Sequence, residues 1–209
     1  VAVGAVALIA SAPFAHARRP SPGARPSRLR SGALTIRFSK RVYALLTSPA
    51  DGAYPEHRSL TALGRATAPR PGSFRFPLVR GSLTGSPLDG SATATGGIRF
   101  SSVSENPAAG RTSVVQFKLN HFALLLSGGV PVLTATFTGQ TTYGHLPVAS
   151  VVLTHAHLRL AGRRVTLTGL RLKLLSAGAQ LFNQQAFNNE TRGFRVGEPI
   201  GTATLTGAR

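Results

Sequence analysis

Cysteine is absent from all 209 residues. Without a thiol the chain has no disulfide scaffold, zinc knuckle, thiolate nucleophile or iron–sulfur cluster. Methionine is absent too, at position 1 as elsewhere, so the translated start is expected upstream of Val1. Acidic residues are scarce: Asp51, Glu56, Asp89, Glu105, Glu190 and Glu198 are the whole set, and they are scattered. None forms a local pair of the kind glycoside hydrolysis uses across one cleft. The patterns G-x-S-x-G, S-x-x-K and H-E-x-x-H are missing, so neither a nucleophile elbow nor a zinc-protease helix is encoded. The expectation is a protein that is not an enzyme.

What is present points to a folded chain. The length suits one domain of ordinary size or two small ones. Apolar residues make up 42% and charged residues only 14%, which is too apolar and too sparsely charged for disorder. The 24 cations, 21 of them Arg, outnumber the 6 acids and leave a net charge of +18. Such a surface attracts polyanions, whether nucleic acid, anionic lipid or acidic cell-wall polymer. A specific nucleic-acid reader would interleave aromatics with cations on one sheet face. Phe74-Arg75-Phe76 and Arg99-Phe100 do this only briefly, and no RNP-like or helix-turn-helix motif accompanies them.

Three stretches differ in composition. Residues 1–17 carry an apolar run from Val1 to Ala10 and end in Ala15-His16-Ala17, an A-x-A cleavage pattern. They read as the remnant of a secretory signal peptide, too short to span a bilayer. Residues 18–31 hold five Arg among Pro and Ser and read as an extended, solvated linker. Residues 32–209 read as one folded domain. The expected location is therefore secreted, at the cell envelope.

Within that domain the apolar pattern is mostly period two, the signature of half-buried strands. Strands are expected at 33–38, 74–79, 91–100, 113–126, 130–138, 148–160, 164–174 and from Gly201. Pro77 suggests an edge position for the second. Val42–Leu46 fits either a helical turn or a strand. The stretch with Pro49, Asp51-Gly52, Pro55, Pro69 and Pro71-Gly72 reads as a long loop with a helical turn near Leu60–Leu63. Gly128-Gly129 signals a hairpin. Ser176–Phe187 breaks the alternation, placing Ala179, Phe182 and Ala186 on one helical face. The predicted fold class is all-β, a mostly antiparallel β-sandwich or open barrel with one or two short helices.

Few residues have chemistry to offer. His155-x-His157, if on one strand, would place two imidazoles on one face for a metal or haem. Two partly exposed polar histidines is the plainer expectation, and no carboxylate lies near them in sequence. His121 reads as a strand-end polar contact. Of Tyr43, Tyr54 and Tyr143, Tyr43 has Arg37 and Arg41 nearby, cations that favour a phenolate able to ligate ferric haem.

Several short motifs occur in a telling order. They are Phe76-Pro-Leu-Val-Arg-Gly-Ser82, Gly96-Gly-Ile-Arg-Phe100, Val132-Leu-Thr-Ala-Thr-Phe137, Leu174-Leu-Ser-Ala-Gly-Ala-Gln-Leu-Phe-Asn183 and Phe194-Arg-Val-Gly-Glu-Pro-Ile-Gly-Thr-Ala203. In this order the chain, from about Gly32 to Thr206, resembles HtaA-like domains, exported envelope domains of actinobacteria. The resemblance implies a β-sandwich with short helices and, in some members, haem binding during haem uptake. Those members open with a Trp, then Ser-Phe-Arg, then a haem-ligating Tyr. Leu34-Thr-Ile-Arg-Phe-Ser-Lys-Arg-Val-Tyr43 is similar to that opening, with Ser39, Arg41 and Tyr43 at matching positions. Leu34 stands for the Trp and Lys40 for the Phe. The family's His, which hydrogen-bonds the ligating Tyr, is expected just after the G-x-x-x-F strand and has no counterpart at Ser101, Ser102 or Val103.

The resemblance implies an exported envelope binding domain with haem as cofactor, Tyr43 as axial ligand and Ser39 and Arg41 beside it. Anionic wall or lipid surfaces are the other expected partners. The alternative is a structural or adhesive envelope domain with no small-molecule ligand.

Overall fold

The computed structural model describes residues 26–48, 56–85, 88–106, 108–186 and 193–209. The stretch read as a signal-peptide remnant, most of the stretch read as a linker and Tyr54 lie outside these residues. In chain order the elements are β1 (Ser27–Leu29), β2 (Ser31–Phe38), α1 (Lys40–Thr47), β3 (Glu56–Leu63), β4 (Thr67–Arg70), β5 (Ser73–Thr84), β6 (Asp89–Ala94) and β7 (Gly97–Asn106). They continue with β8 (Arg111–Leu125), β9 (Val132–Thr138), β10 (Thr142–Val152), β11 (His157–Ala161), β12 (Arg164–Leu174), α2 (Ser176–Ala186) and β13 (Pro199–Ala208). No helix among the described residues is long and apolar enough to cross a membrane.

The all-β expectation is met, and the sheet closes. Strands run β5–β2–β13–β12–β10–β9–β8, and β6 bonds to both β8 and β5, completing an eight-stranded antiparallel ring. A barrel of this size is just wide enough for its own side chains to fill. Leu34, Phe76, Leu124, Leu133, Leu167 and Leu170 do so, all essentially inaccessible. Beyond the ring, β8 continues outward and carries β7 and then β3 as a flap. The barrel and the flap share aromatic packing. Phe117 stacks on Phe100 at 4.9 Å and meets Phe137 at 5.5 Å and Phe182 of α2 at 5.9 Å.

β12 shows how the pattern folds. Its inward residues are Val165, Leu167, Leu170, Leu172 and Leu174, a period of two with one slip. The register to β13 shifts between Leu167 and Leu170, so a bulge absorbs the extra residue and keeps the later leucines inside. Gly169 makes this possible. Its φ is +75° and a Cβ there would overlap the carbonyl oxygen of His155.

Five expectations need correction. The segment read as a long loop contains β3 and β4. β3 alternates half-buried Glu56, Arg58, Leu60 and Ala62 with exposed residues, so Leu60–Leu63 is strand and not a helical turn. β5 is no edge. It pairs with β2 over Ser73–Pro77 and with β6 over Leu78–Thr84, and Pro77 sits where one pairing hands over to the other. The linker is ordered at its end, because Ser27–Leu29 pairs with Gly81–Leu83 and Leu29 is buried. The single strands expected over 91–100 and 148–160 are each two: the first breaks at residues 95–96 between β6 and β7, and the second turns at 153–156 between β10 and β11.

α2 starts at Ser176 and buries Ala179, Leu181 and Phe182, close to the expected face. The side chain of Asn183 then donates to the Phe194 carbonyl at 2.9 Å and accepts from its N–H at 2.6 Å. That pair stitches the helix to the approach to β13, which explains why these two motifs belong together.

Candidate functional site

α1 follows directly from β2, and its start is strapped on both sides. Phe38 N–H donates to the Gly72 carbonyl at 2.8 Å and Ser39 N–H to the Ile200 carbonyl at 2.9 Å. Ser39 has extended backbone geometry and its Oγ accepts from Val42 N–H at 3.3 Å, so it is the N-cap. Val42 and Leu46 point into the core. Ser39→Ala is expected to cost about 1 kcal/mol through loss of this cap, read as a lower urea midpoint. Ser39→Asp, which restores an acceptor, should recover it, and equal midpoints for Ser39→Ala and the parent would contradict the assignment.

Tyr43 lies one residue past Val42 on the same helix and is half-buried. Its ring rests on the turn between β4 and β5. A Cβ on Gly72 would come within 3.3 Å of the ring carbons, and Gly72 has φ +71°. The phenol oxygen has no hydrogen-bond partner among the described residues.

Arg41 is committed elsewhere. It ion-pairs with Glu198, the more buried partner, whose other oxygen accepts from Arg195 N–H at 3.1 Å. Arg41 and Ser39 line a cleft of about 720 Å³ together with Arg37, Lys40, Arg171 and Thr202. Tyr43 is not among the lining residues of that cleft. The fold thus brings Ser39 and Arg41 to one side of α1 and sets Tyr43 against Gly72.

The region of Ser101, Ser102 and Val103 holds something the sequence did not announce. β3 and β7 pair so that Arg58 faces Ser102 and Glu56 faces Ser104 on the inner side of the flap. Glu56 accepts from Arg58 Nε at 2.7 Å and from the Ser102 hydroxyl. Arg58 Nη1 also reaches the Leu45 carbonyl of α1 at 3.3 Å. The Arg58 side chain is only 6% exposed and that of Glu56 13%, so this is a buried ion pair tying the flap to α1. The available signal was Glu56-x-Arg58 in phase with Leu60 and Ala62. The Pro-rich surroundings hid it.

The histidines do not gather. His155 falls in the turn and His157 opens β11, so they do not share a strand face. His121 sits within β8 at a bulge, with φ +50° and Nδ1 3.1 Å from Asn120 Oδ1. No group of three or more His, Asp or Glu able to hold a metal occurs among the described residues.

The comparisons with known proteins agree with the fold. The C-terminal domain of HtaA from Corynebacterium glutamicum matches with a TM-score of 0.59 at 13% identity, over 87% of this chain and 98% of that one. The haem-binding protein HtaB from Corynebacterium glutamicum matches with a TM-score of 0.60 at 12% identity, over 88% of this chain and 96% of that one. The N-terminal domain of HtaA from the same organism matches with a TM-score of 0.54 at 15% identity, over 86% and 97%. No curated protein matches the sequence. The family model described as HtaA matches residues 39–191, from the α1 cap to beyond α2, and by that match the chain belongs to the HtaA family.

Proposed function

We propose that this chain is an exported envelope domain that binds haem through Tyr43. The observation that carries this is the phenol itself. It sits on a capped helix, its ring is seated on Gly72, and its oxygen is not engaged by any described residue. A hard oxygen donor of this kind suits ferric iron, and tyrosine is one of the axial ligands haem proteins use. Bound haem would supply an iron centre that accepts that oxygen. The chain's own contribution is to hold α1 still: Ser39 fixes its start, and Arg58 grips the Leu45 carbonyl near its end. Arg41 and Lys40 place positive charge at the start of the same helix, next to the Glu198 carboxylate that orients Arg41. The role is binding and not catalysis. Export rests on the apolar run and A-x-A pattern of residues 1–17.

Hemin titrated into the purified chain should give a Soret band distinct from that of free hemin, saturating at one equivalent. A spectrum that stays that of free hemin overturns this proposal. It would favour a second reading, an envelope domain with no small-molecule ligand. The buried Glu56–Arg58–Ser102 cluster supports that second reading, because it occupies the stretch where the family's His is expected.

A further inference from the structure

We propose that the outer face of β5, β2, β13 and β12 is a docking track for a linear acidic polysaccharide. The inference is independent of haem. Inward-facing Phe74, Ile36, Ala203 and Leu172 fill the core, so the intervening residues of these strands point out. The register then aligns the outward ones. Arg75 lies opposite Thr35, and Thr35 opposite Thr204. Arg37 lies opposite Thr202, and Thr202 opposite Arg171. Lys173 follows two residues along β12 from Arg171.

With strands ~4.8 Å apart and alternate residues ~6.7 Å apart, Arg75 and Arg37 are separated by about 8 Å and Arg37 and Arg171 by about 10 Å. The four cations form a diagonal line with threonine hydroxyls between them. All four are exposed, and none has an ion-pair partner among the described residues. Glu198, which lines the same cleft as Arg37 and Arg171, is taken by Arg41. Unpaired like charges held in a row by a rigid sheet repel one another, and an anion laid along them relieves this.

The surroundings select the occupant. Exposed large apolar residues form no patch on this face; none is on β2, β12 or β13, and β5 carries only Val79, four residues along from Arg75, so the face lacks the apolar area that inserts into a bilayer. No exposed aromatic stands on it for bases to stack upon. A lane of cations and hydroxyls, which at Arg37, Thr202 and Arg171 forms one wall of the cleft beside α1, suits a chain of sugars bearing carboxylate or sulfate groups.

The test uses the full chain and a heparin oligosaccharide as probe, measured over a range of salt. The triple variant Arg37→Gln, Arg75→Gln, Arg171→Gln should weaken binding by about tenfold or more at 0.1 M salt and lower the log–log salt slope by about three. The control triple Arg28→Gln, Arg30→Gln, Arg80→Gln removes equal charge from a separate arginine cluster and should weaken it far less. All six are surface positions, so thermal melting of both variants should stay near that of the parent. Equal losses in the two variants, or no loss in the first, would overturn the track. Tighter, track-dependent binding of an oligothymidine or of phosphatidylglycerol vesicles would overturn the polysaccharide as its occupant.

Discussion

Tyr43→Phe should lose the hemin Soret band while melting at the parent temperature. The substitution keeps the ring that rests on Gly72 and deletes only the oxygen. No described residue hydrogen-bonds that oxygen, so its removal leaves no buried partner unsatisfied. The stability cost is therefore small, whereas the loss of the iron ligand should reduce hemin affinity on the order of 100-fold or more, since weakening even the groups that support a ligand costs 10–100-fold. Tyr43→Ala should lose the band as well and also open a gap over Gly72, so it should melt lower. If Tyr43→Phe binds hemin with the parent's spectrum, Tyr43 is not the ligand. Arg41→Gln separates a neighbouring effect. It removes one cation from the start of α1 and breaks the pair with Glu198, so it should weaken hemin binding while leaving the Soret band at the parent's position, because the iron ligand is kept.

Arg58→Met should destabilise the domain by about 3 kcal/mol, a fall of about 10 °C in melting temperature. Met has similar length and fills much of the space, but it takes the Arg58 cation away from the Glu56 carboxylate, which the Ser102 hydroxyl also contacts, in a site that is nearly closed to water. It also abandons the Leu45 carbonyl at the end of α1. The figure is at the low end for a buried pair because β3 is an outer strand and Glu56 keeps some exposure. The double variant Glu56→Leu with Arg58→Met removes both charges together and should recover most of the loss, because much of the single variant's cost is a buried carboxylate deprived of the Arg58 cation. A single variant as stable as the double would show that the pair does not behave as a buried one.

The elements legible in the sequence were those whose environment repeats along the chain. β2, β9, β12 and β13 each bury one face for most of their length, and β8 does so from Phe117 onward, so their apolar residues alternate and declare the strand. Ser39 and Tyr43 came forward through their match to the family's opening motif, whereas the cap that Ser39 makes on α1 shows only in the structure, because Val42–Leu46 fits a strand as well as a helical turn. β3 was not. Its inner face carries Glu56 and Arg58, a charged pair that mimics a solvated loop until Ser102 is brought against it by β7. The break at 153–156 escaped for a related reason: His155 and His157 continue the alternation on paper, and only the approach of Gly169 shows where the chain turns.

Composition and periodicity alone determined that the chain is an all-β domain with excess positive charge, because burial on one face of a strand and the count of ionisable groups are properties of consecutive residues. Tertiary structure alone decided that the sheet closes through β6 and that Arg58 neutralises Glu56 beneath α1. It also decided that Arg41 turns to Glu198 while Tyr43 rests on Gly72. These depend on which distant strands become neighbours, and hydrogen bonding between strands is set by register across the sheet, a relation that no stretch of sequence contains.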